Sequence, residues 1–325
     1  GYSPARTMVL AEKLYEQGLI SYMRTDSLTI GADALREIHS EIEKGFGREY
    51  LSPHRYKTRS KVAQEAHEAI RPTDITKHKA GAKSDEAKLY ELIWQRTIAS
   101  QMTAAKILRT KITANLVKPA KAGHEAGVIP DFSATGNVIV FPGWLKADPR
   151  ARGEEVELPQ VKEEEPITLT NIASEKKQTE PPPRYTEAGL VKELEKRGIG
   201  RPSTYAAIIK TLHDRDYVAK LGRALQPTDT GEVVNDFLEK NFGSYISDSF
   251  TAEMENELDE IADGKREYTA TLTSFYGPFS KEVKAKEKLE KATTLGEADP
   301  EIKCPICGGA MVIKLGRSGK FLSCK

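Results

Sequence analysis

The sequence predicts a multi-domain α+β protein: a mainly α block, an antiparallel β block, a second helical block of winged-helix type, and a small cysteine-bearing ribbon. Three observations predict it. The 325 residues correspond to about two ordinary domains or three small ones. Apolar spacing switches from helical to alternating and back along the chain. All three cysteines fall in the last 22 residues, a local metal site rather than a disulfide framework. Lys and Arg number 49 against 48 Asp and Glu, so the net charge of +1 marks no partner. With 38% hydrophobic and 30% charged residues and no apolar stretch near the ~18 residues of a membrane span, and no leader-like opening, a cytoplasmic protein is the expectation.

Block one covers residues 1–108. RTMVLAEKLYEQ has helical spacing and is stopped by Gly18, and LISYM reads as a short strand. Ile30, Leu35, Ile38 and Ile42 recur at three- to five-residue intervals, predicting an amphipathic helix over 29–44 closed by Gly45 and Gly47. Arg55, Lys57, Arg59 and Lys61 alternate with other residues in a loop. AQEAHEAIR reads as a helix ended by Pro72, and 85–106 as another.

In residues 109–182 the period becomes two. Ile112, Ala114 and Leu116, then Val138 to Phe141, predict antiparallel strands. Residues 151–165 carry six Glu against one Arg and one Lys, a solvated acidic loop that avoids nucleic acid. Pro181-Pro182-Pro183 is a stiff extended connector and marks a boundary.

Residues 183–292 return to helix. EAGLVKELEKRG, the turn Gly198-Ile-Gly-Arg-Pro202 and STYAAIIKTLHDRDYV form two helices around a glycine turn, with Ser203 placed to cap the second. The strand-like YVAK and RALQPT follow, as in a winged helix-turn-helix, whose second helix commonly faces nucleic acid. Lys and Arg outnumber Asp and Glu from 184 to 225. Three amphipathic or charged helices come next, and TTLGEADP reads as a linker.

The ribbon spans 301–325. In Cys304-Pro-Ile-Cys307-Gly-Gly, two thiolates two residues apart can reach one Zn²⁺, each at about 2.3 Å. Sixteen residues separate Cys307 from Cys324, within the ~15–20 of a four-cysteine zinc ribbon. The three cysteines are candidate Zn²⁺ ligands, and the fourth is expected beyond Lys325. Five basic residues against one acidic make the ribbon positive, a feature that often accompanies nucleic-acid binding.

The chemistry concentrates in Gly18-Leu-Ile-Ser-Tyr22-Met-Arg24-Thr-Asp26-Ser27. On a strand, Tyr22 and Arg24 share a face. A phenol with pKa ~10 is a poor nucleophile at neutral pH; a neighbouring cation favours phenolate and stabilises charge on an attacked phosphate. Residue chemistry alone leaves open whether Tyr22 reacts or packs.

That string resembles the active-site segment of type IA DNA topoisomerases. Similar to the same family, in order, are Ala66-His67-Glu68-Ala69-Ile70-Arg71-Pro72-Thr73; Pro181-Pro-Pro-Arg184-Tyr-Thr-Glu187 with Leu190-Val-Lys192; Gly198-Ile-Gly-Arg201-Pro-Ser203-Thr204-Tyr; and Phe250-Thr-Ala-Glu253-Met-Glu255 with Leu258-Asp259. The ribbon makes the bacterial topoisomerase I branch the better match. The resemblance implies that Tyr22 is the nucleophile that forms a 5′-phosphotyrosine, that Arg24 stabilises the phosphate and that His67 hydrogen-bonds it, although a merely satisfied helix histidine is the alternative for His67. It implies that Arg201, Ser203 and Thr204 hold single-stranded DNA, with Arg184 and Lys192 as further contacts. Arg71 either meets a neighbouring phosphate or pairs with Glu68. The blocks then become a gate domain, an arch, a DNA-binding domain and a truncated zinc ribbon.

The family also requires a Toprim domain with a catalytic Glu, a Lys and an acidic Mg²⁺ cluster. No D-x-D-x-E cluster occurs in the sequence, so the Mg²⁺ ligands are expected in a Toprim domain outside it. The implied activity is ATP-independent relaxation of negatively supercoiled DNA, by cleavage of one strand, strand passage and religation, in the nucleoid. Its alternative is a catalytically incompetent single-strand-binding fragment. A tyrosine recombinase fits poorly, since those enzymes place a scattered Arg-His-Arg set before a C-terminal tyrosine.

Overall fold

The computed structural model describes residues 1–56, 67–115, 131–289, 294–316 and 319–324. Helix α1 (Pro4–Glu16) starts where the Ser3 hydroxyl accepts from Arg6 N, with Pro4 in the first turn, and buries Leu10, Ala11 and Leu14. Helix α2 (Ala32–Gly45) buries Ile38 and Ile42 of the stripe read from the sequence, with Ala34 in place of Leu35, which is half-buried. Both pack on α3 (Ser84–Ser100), which contributes Tyr90, Trp94 and Ile98. Trp94 Nε1 donates to Ile75 O at 2.8 Å, so the indole enters the core without losing its hydrogen bond. Ile20, Met23, Tyr50, Ile75, Met102 and Ala147 complete that core.

Two elements of this block differ from expectation. Residues 19–23 are irregular rather than a strand, joined to the rest by one antiparallel bridge, Ile20 to Pro72. No neighbouring strand is there to pair with, so backbone groups are satisfied singly: Ser21 N donates to Arg71 O at 2.9 Å and Thr73 N to Leu19 O at 3.1 Å. Residues 67–71 are not helical. Pro72 disfavours the α conformation for Arg71, whose carbonyl is committed to Ser21. The start of AQEAHEAIR lies outside the described residues.

Strands β1 (Lys106–Ala114) and β2 (Phe132–Phe141) form an antiparallel pair with Ile112 opposite Ala134. Leu116 lies outside the described residues. The acidic stretch is exposed and irregular, with Val156 bridged to Asn137.

Helix α4 (Glu187–Arg197) is capped by Thr186, which accepts from Gly189 N, and closes at Gly198 with φ +74°, a left-handed position that favours glycine. Helix α5 (Tyr205–Asp214) begins after Thr204. Ser203 does not cap it: Thr204 Oγ1 accepts from Arg201 N at 2.8 Å and closes a tight turn over Pro202, so the helix starts one residue later. Strands β3 (Val218–Leu221) and β4 (Ala224–Pro227) form an antiparallel hairpin where the wing was expected. Helices α6 (Asp229–Phe242), α7 (Asp248–Ala262) and α8 (Tyr268–Lys286) follow, and Tyr245, Phe250, Phe275 and Phe279 make an aromatic cluster.

The expected linker contains a strand. β5 (Thr294–Glu297) pairs with β6 (Met311–Gly316), which pairs with β7 (Gly319–Cys324). Without β5 the outer edge of β6 would leave backbone groups unpaired. The ribbon sits against α6, where Lys320 N donates to Asp229 Oδ2 at 3.1 Å and Lys320 Nζ meets Asp229 Oδ1 at 3.0 Å and Glu232 Oε2 at 3.4 Å. At the other end of the chain, α1 packs against α5.

Leu14 is fully buried. Leu14→Ala is expected to lower stability by ~2–5 kcal/mol. The chain's two tryptophans, Trp94 and Trp144, both belong to this core, so the loss is read as a lower urea midpoint in their fluorescence.

Candidate active site

The chain leaves α1 through Gly18, at φ +68°. It then runs alongside residues 67–73. Ser21 Oγ donates to Ala69 O at 2.8 Å and accepts from Arg71 N at 2.9 Å, and Thr73 Oγ1 donates to Gly18 O at 2.6 Å. These bonds bring Tyr22 to His67: the ring centroids are 5.8 Å apart, edge to face. Tyr15 of α1 meets the Tyr22 ring at 5.3 Å. Tyr22 keeps 39% of its surface exposed, so solvent and a ligand can reach it.

Arg24 Nη2 lies 3.5 Å from Glu12 Oε1 of α1, with both side chains nearly half exposed. Arg71 behaves differently. Its Nε and Nη2 donate to Glu68 Oε2 at 3.2 and 2.8 Å, and its Nη1 to Pro72 O at 3.0 Å. Glu68 Oε1 accepts from Gly31 N at 2.7 Å, at the start of α2. Of the two readings of Arg71, the structure contains the pair with Glu68.

Arg201 is also engaged internally. Its Nε and Nη2 donate to Asp259 Oδ2 at 3.1 and 2.5 Å, its Nη1 donates to Gly200 O at 2.8 Å and Gly198 O at 3.2 Å, and Glu255 lies at 3.8 Å. Burial opposes its charge, but the hydrogen bond to Asp259 and the carboxylates of Asp259 and Glu255 outweigh it and hold the pKa above the ordinary value. The guanidinium thus fastens the turn to α7. Ser203 and Thr204 are exposed on the same turn, and Arg184 and Lys192 are exposed beside it in sequence, without an ion pair among the described residues. Burial raises the Tyr205 phenol pKa, and the carboxylates of Glu195 and Asp26 add to the rise.

Cys304, Cys307 and Cys324 bring their sulfurs within 4.8 Å of one another. Backbone N–H groups of Cys307 and Ile306 hold the Cys304 thiol down at about 7, whereas the hydrogen bond with Cys307 pushes Cys324 up to about 11. Cys304 N donates to Gly309 O at 2.9 Å and Gly308 N to Cys304 O at 2.8 Å, the tight knuckle that turns the sulfurs inward. Three converging thiols are a donor set suited to Zn²⁺.

A family model described as DNA topoisomerase matches residues 1–273. The chain belongs to that family. It is 41% identical to DNA topoisomerase 1 of Vibrio cholerae over 336 residues, covering 100% of the chain and 37% of the relative. It is 42% identical to DNA topoisomerase 1 of Rickettsia felis, covering 100% of the chain and 45% of the relative. The full-length topoisomerase I of Thermotoga maritima has a similar fold, with a TM-score of 0.75, 34% identity, and coverage of 100% of the chain and 53% of that structure. The chain thus spans about half or less of the topoisomerases it matches.

Sequence reasoning missed Glu12 and Tyr15. Their spacing puts them on one face of α1, but the reversal at Gly18 that folds Tyr22 and Arg24 back onto that face has no local signature.

Ser21→Ala removes a donor and an acceptor at once. It is expected to weaken this junction by ~1–3 kcal/mol, seen as faster amide hydrogen exchange at Arg71. Zn²⁺ is expected to protect all three thiols from a thiol-reactive dye, and Cys304→Ser to abolish the protection.

Proposed function

We propose that this chain supplies the cleavage machinery of a type IA topoisomerase, with Tyr22 as nucleophile. One observation carries the reading: in a member of the DNA topoisomerase family, an accessible tyrosine stands against a histidine ring 5.8 Å away, with an arginine two residues on. Tyr22 Oη attacks the scissile phosphorus. The Oη–P bond forms, the bond from phosphorus to the 3′ oxygen breaks, and the phenolic proton ends on that oxygen. The product is a 5′-phosphotyrosine and a free 3′-hydroxyl. Arg24 donates to the non-bridging oxygens as charge builds there, and His67 adds a hydrogen bond to the same phosphate. Attack by the 3′-hydroxyl reverses the step after another strand has passed. ATP is not needed, because the ester to Tyr22 conserves the energy of the broken bond.

Single-stranded DNA upstream of the cut is held by Ser203, Thr204 and the first backbone N–H groups of α5, with Arg184 and Lys192 on phosphates. Arg201 shapes that turn through Asp259, and Arg71 holds the His67 segment through Glu68. Zn²⁺ would be held by Cys304, Cys307 and Cys324, where it clamps the knuckle to the end of β7. Among the described residues that trio is the one group of three or more His, Cys, Asp or Glu side chains arranged for a metal. Among the described residues no group of three carboxylates is arranged for Mg²⁺, and no step here is routed through it. The Mg²⁺ site of the reaction belongs to a Toprim domain acting with this chain. By itself the chain therefore binds single strands with little cleavage or relaxation. Among the described residues no helix is long and apolar enough to cross a membrane.

The test is covalent trapping on a 3′-labelled single-stranded oligonucleotide with a Toprim domain supplied. A denaturant-resistant adduct is expected with the native chain and none with Tyr22→Phe. Arg24→Ala should slow its formation by ~10²–10³-fold. An undiminished adduct in Tyr22→Phe, or efficient plasmid relaxation by this chain alone, refutes the reading.

A further inference from the structure

Three arginines sit in or near the proposed site, and their partners differ. Arg71 holds a carboxylate and one backbone carbonyl, and Arg201 a carboxylate and two, with only 18% and 25% of the side chain exposed. Arg24 is 42% exposed, and its recorded charge partner is Glu12, at the long separation of 3.5 Å and itself 46% exposed. Glu12 also stands one helical turn from Tyr15, which rests edge-on against Tyr22. One face of α1 therefore touches both the nucleophile's ring and the cation beside it. A carboxylate on a guanidinium takes the same donors that a phosphate would take.

We propose that Glu12 is a positioning residue that occupies Arg24 when DNA is absent, and that the scissile phosphodiester displaces it. Arg71 and Arg201 are fixed in the fold, whereas Arg24 is held in place and remains exchangeable. Binding of a DNA strand then breaks the Glu12–Arg24 pair and leaves Glu12 to solvent. This inference rests on Arg24 being a phosphate ligand.

Glu12→Gln keeps side-chain length and helix propensity and removes the charge. Binding is read by fluorescence anisotropy with a labelled single-stranded oligonucleotide in a chelator, so that only the residues of this chain contribute. An exposed ion pair corresponds to about a 2–5-fold effect, so Glu12→Gln is expected to bind that much more tightly. Glu16→Gln, which removes the same charge from an exposed position on the same helix, is expected to leave affinity nearly unchanged. In an Arg24→Ala background, Glu12→Gln should give no gain. An equal gain in Glu16→Gln, no gain in Glu12→Gln, or a gain that persists without Arg24 overturns the proposal. The two levels of failure are separable. If Arg24→Ala itself binds like the native chain, the reading of Arg24 as a phosphate ligand fails, and this inference with it. If Arg24→Ala weakens binding while Glu12→Gln tightens nothing, only the role of Glu12 fails. An unchanged thermal midpoint in Glu12→Gln shows that affinity, not folding, is being compared.

Discussion

The hydroxyl of Ser21 holds the candidate site together. It gives one hydrogen bond to Ala69 O and takes one from Arg71 N, and with the bridge from Ile20 to Pro72 it joins two irregular segments 50 residues apart in the chain. Neither segment has regular secondary structure of its own, so this junction, together with the bonds from Thr73 to Gly18 and Leu19, lays Tyr22 beside His67. Buried Ile20 and Met23 anchor the same stretch in the core, with Tyr22 between them facing outward. Ile20 and Met23 are three residues apart, so burial here does not follow the alternation of a strand. Packing supplies the direction of the side chains, and single hydrogen bonds supply what a ladder would otherwise provide.

Charge in this molecule is mostly internal. The net of +1 conceals an exposed acidic stretch near 155–165 and positive segments around the second helical block and the ribbon. Several arginines that a composition count would assign to DNA are spent on carboxylates. Arg71 ties the His67 segment to the start of α2 through Glu68, and Arg201 ties its glycine turn to Asp259 of α7. A guanidinium bonded to a carboxylate and two carbonyls is a fastener with little left to offer a phosphate. Short exposed side chains and helix-terminal N–H groups carry the rest of the polar surface at that turn.

Legibility followed the range of the interactions. Helices with a clear apolar stripe, such as α2 with Ile38 and Ile42, could be read directly, as could the β1–β2 pair and the β3–β4 hairpin. The metal trio was legible because its spacing is local at the knuckle and closes through one hairpin. Four features were not. Residues 67–71 are not helical, because Pro72 disfavours the α conformation at Arg71. The strand at 19–23 failed because strand identity depends on a partner that no nearby sequence provides. The expected linker became β5 because the edge of β6 accepts it, a constraint set by chain some fifteen residues further on. Ser203 does not cap α5: the helix begins after Thr204, whose hydroxyl is committed to Arg201 N and closes the turn. The positions of Tyr22 and Arg24 stood out in the sequence, whereas the face of α1 against which they rest arises only in three dimensions.

Strands β1 and β2 form a single antiparallel pair that leaves the first helical core after Met102 and returns to it at Phe141, and most of the residues of β1 are exposed. A sheet with a packed face resists bending because bending opens its core. Two strands joined by one row of hydrogen bonds have little core to open, so such a ribbon can twist and flex at modest cost while its length stays fixed. In mechanical terms it is a leaf spring, stiff along its axis and compliant across it. A load across the ribbon would be taken up as bending, and the pair would recover with its register intact.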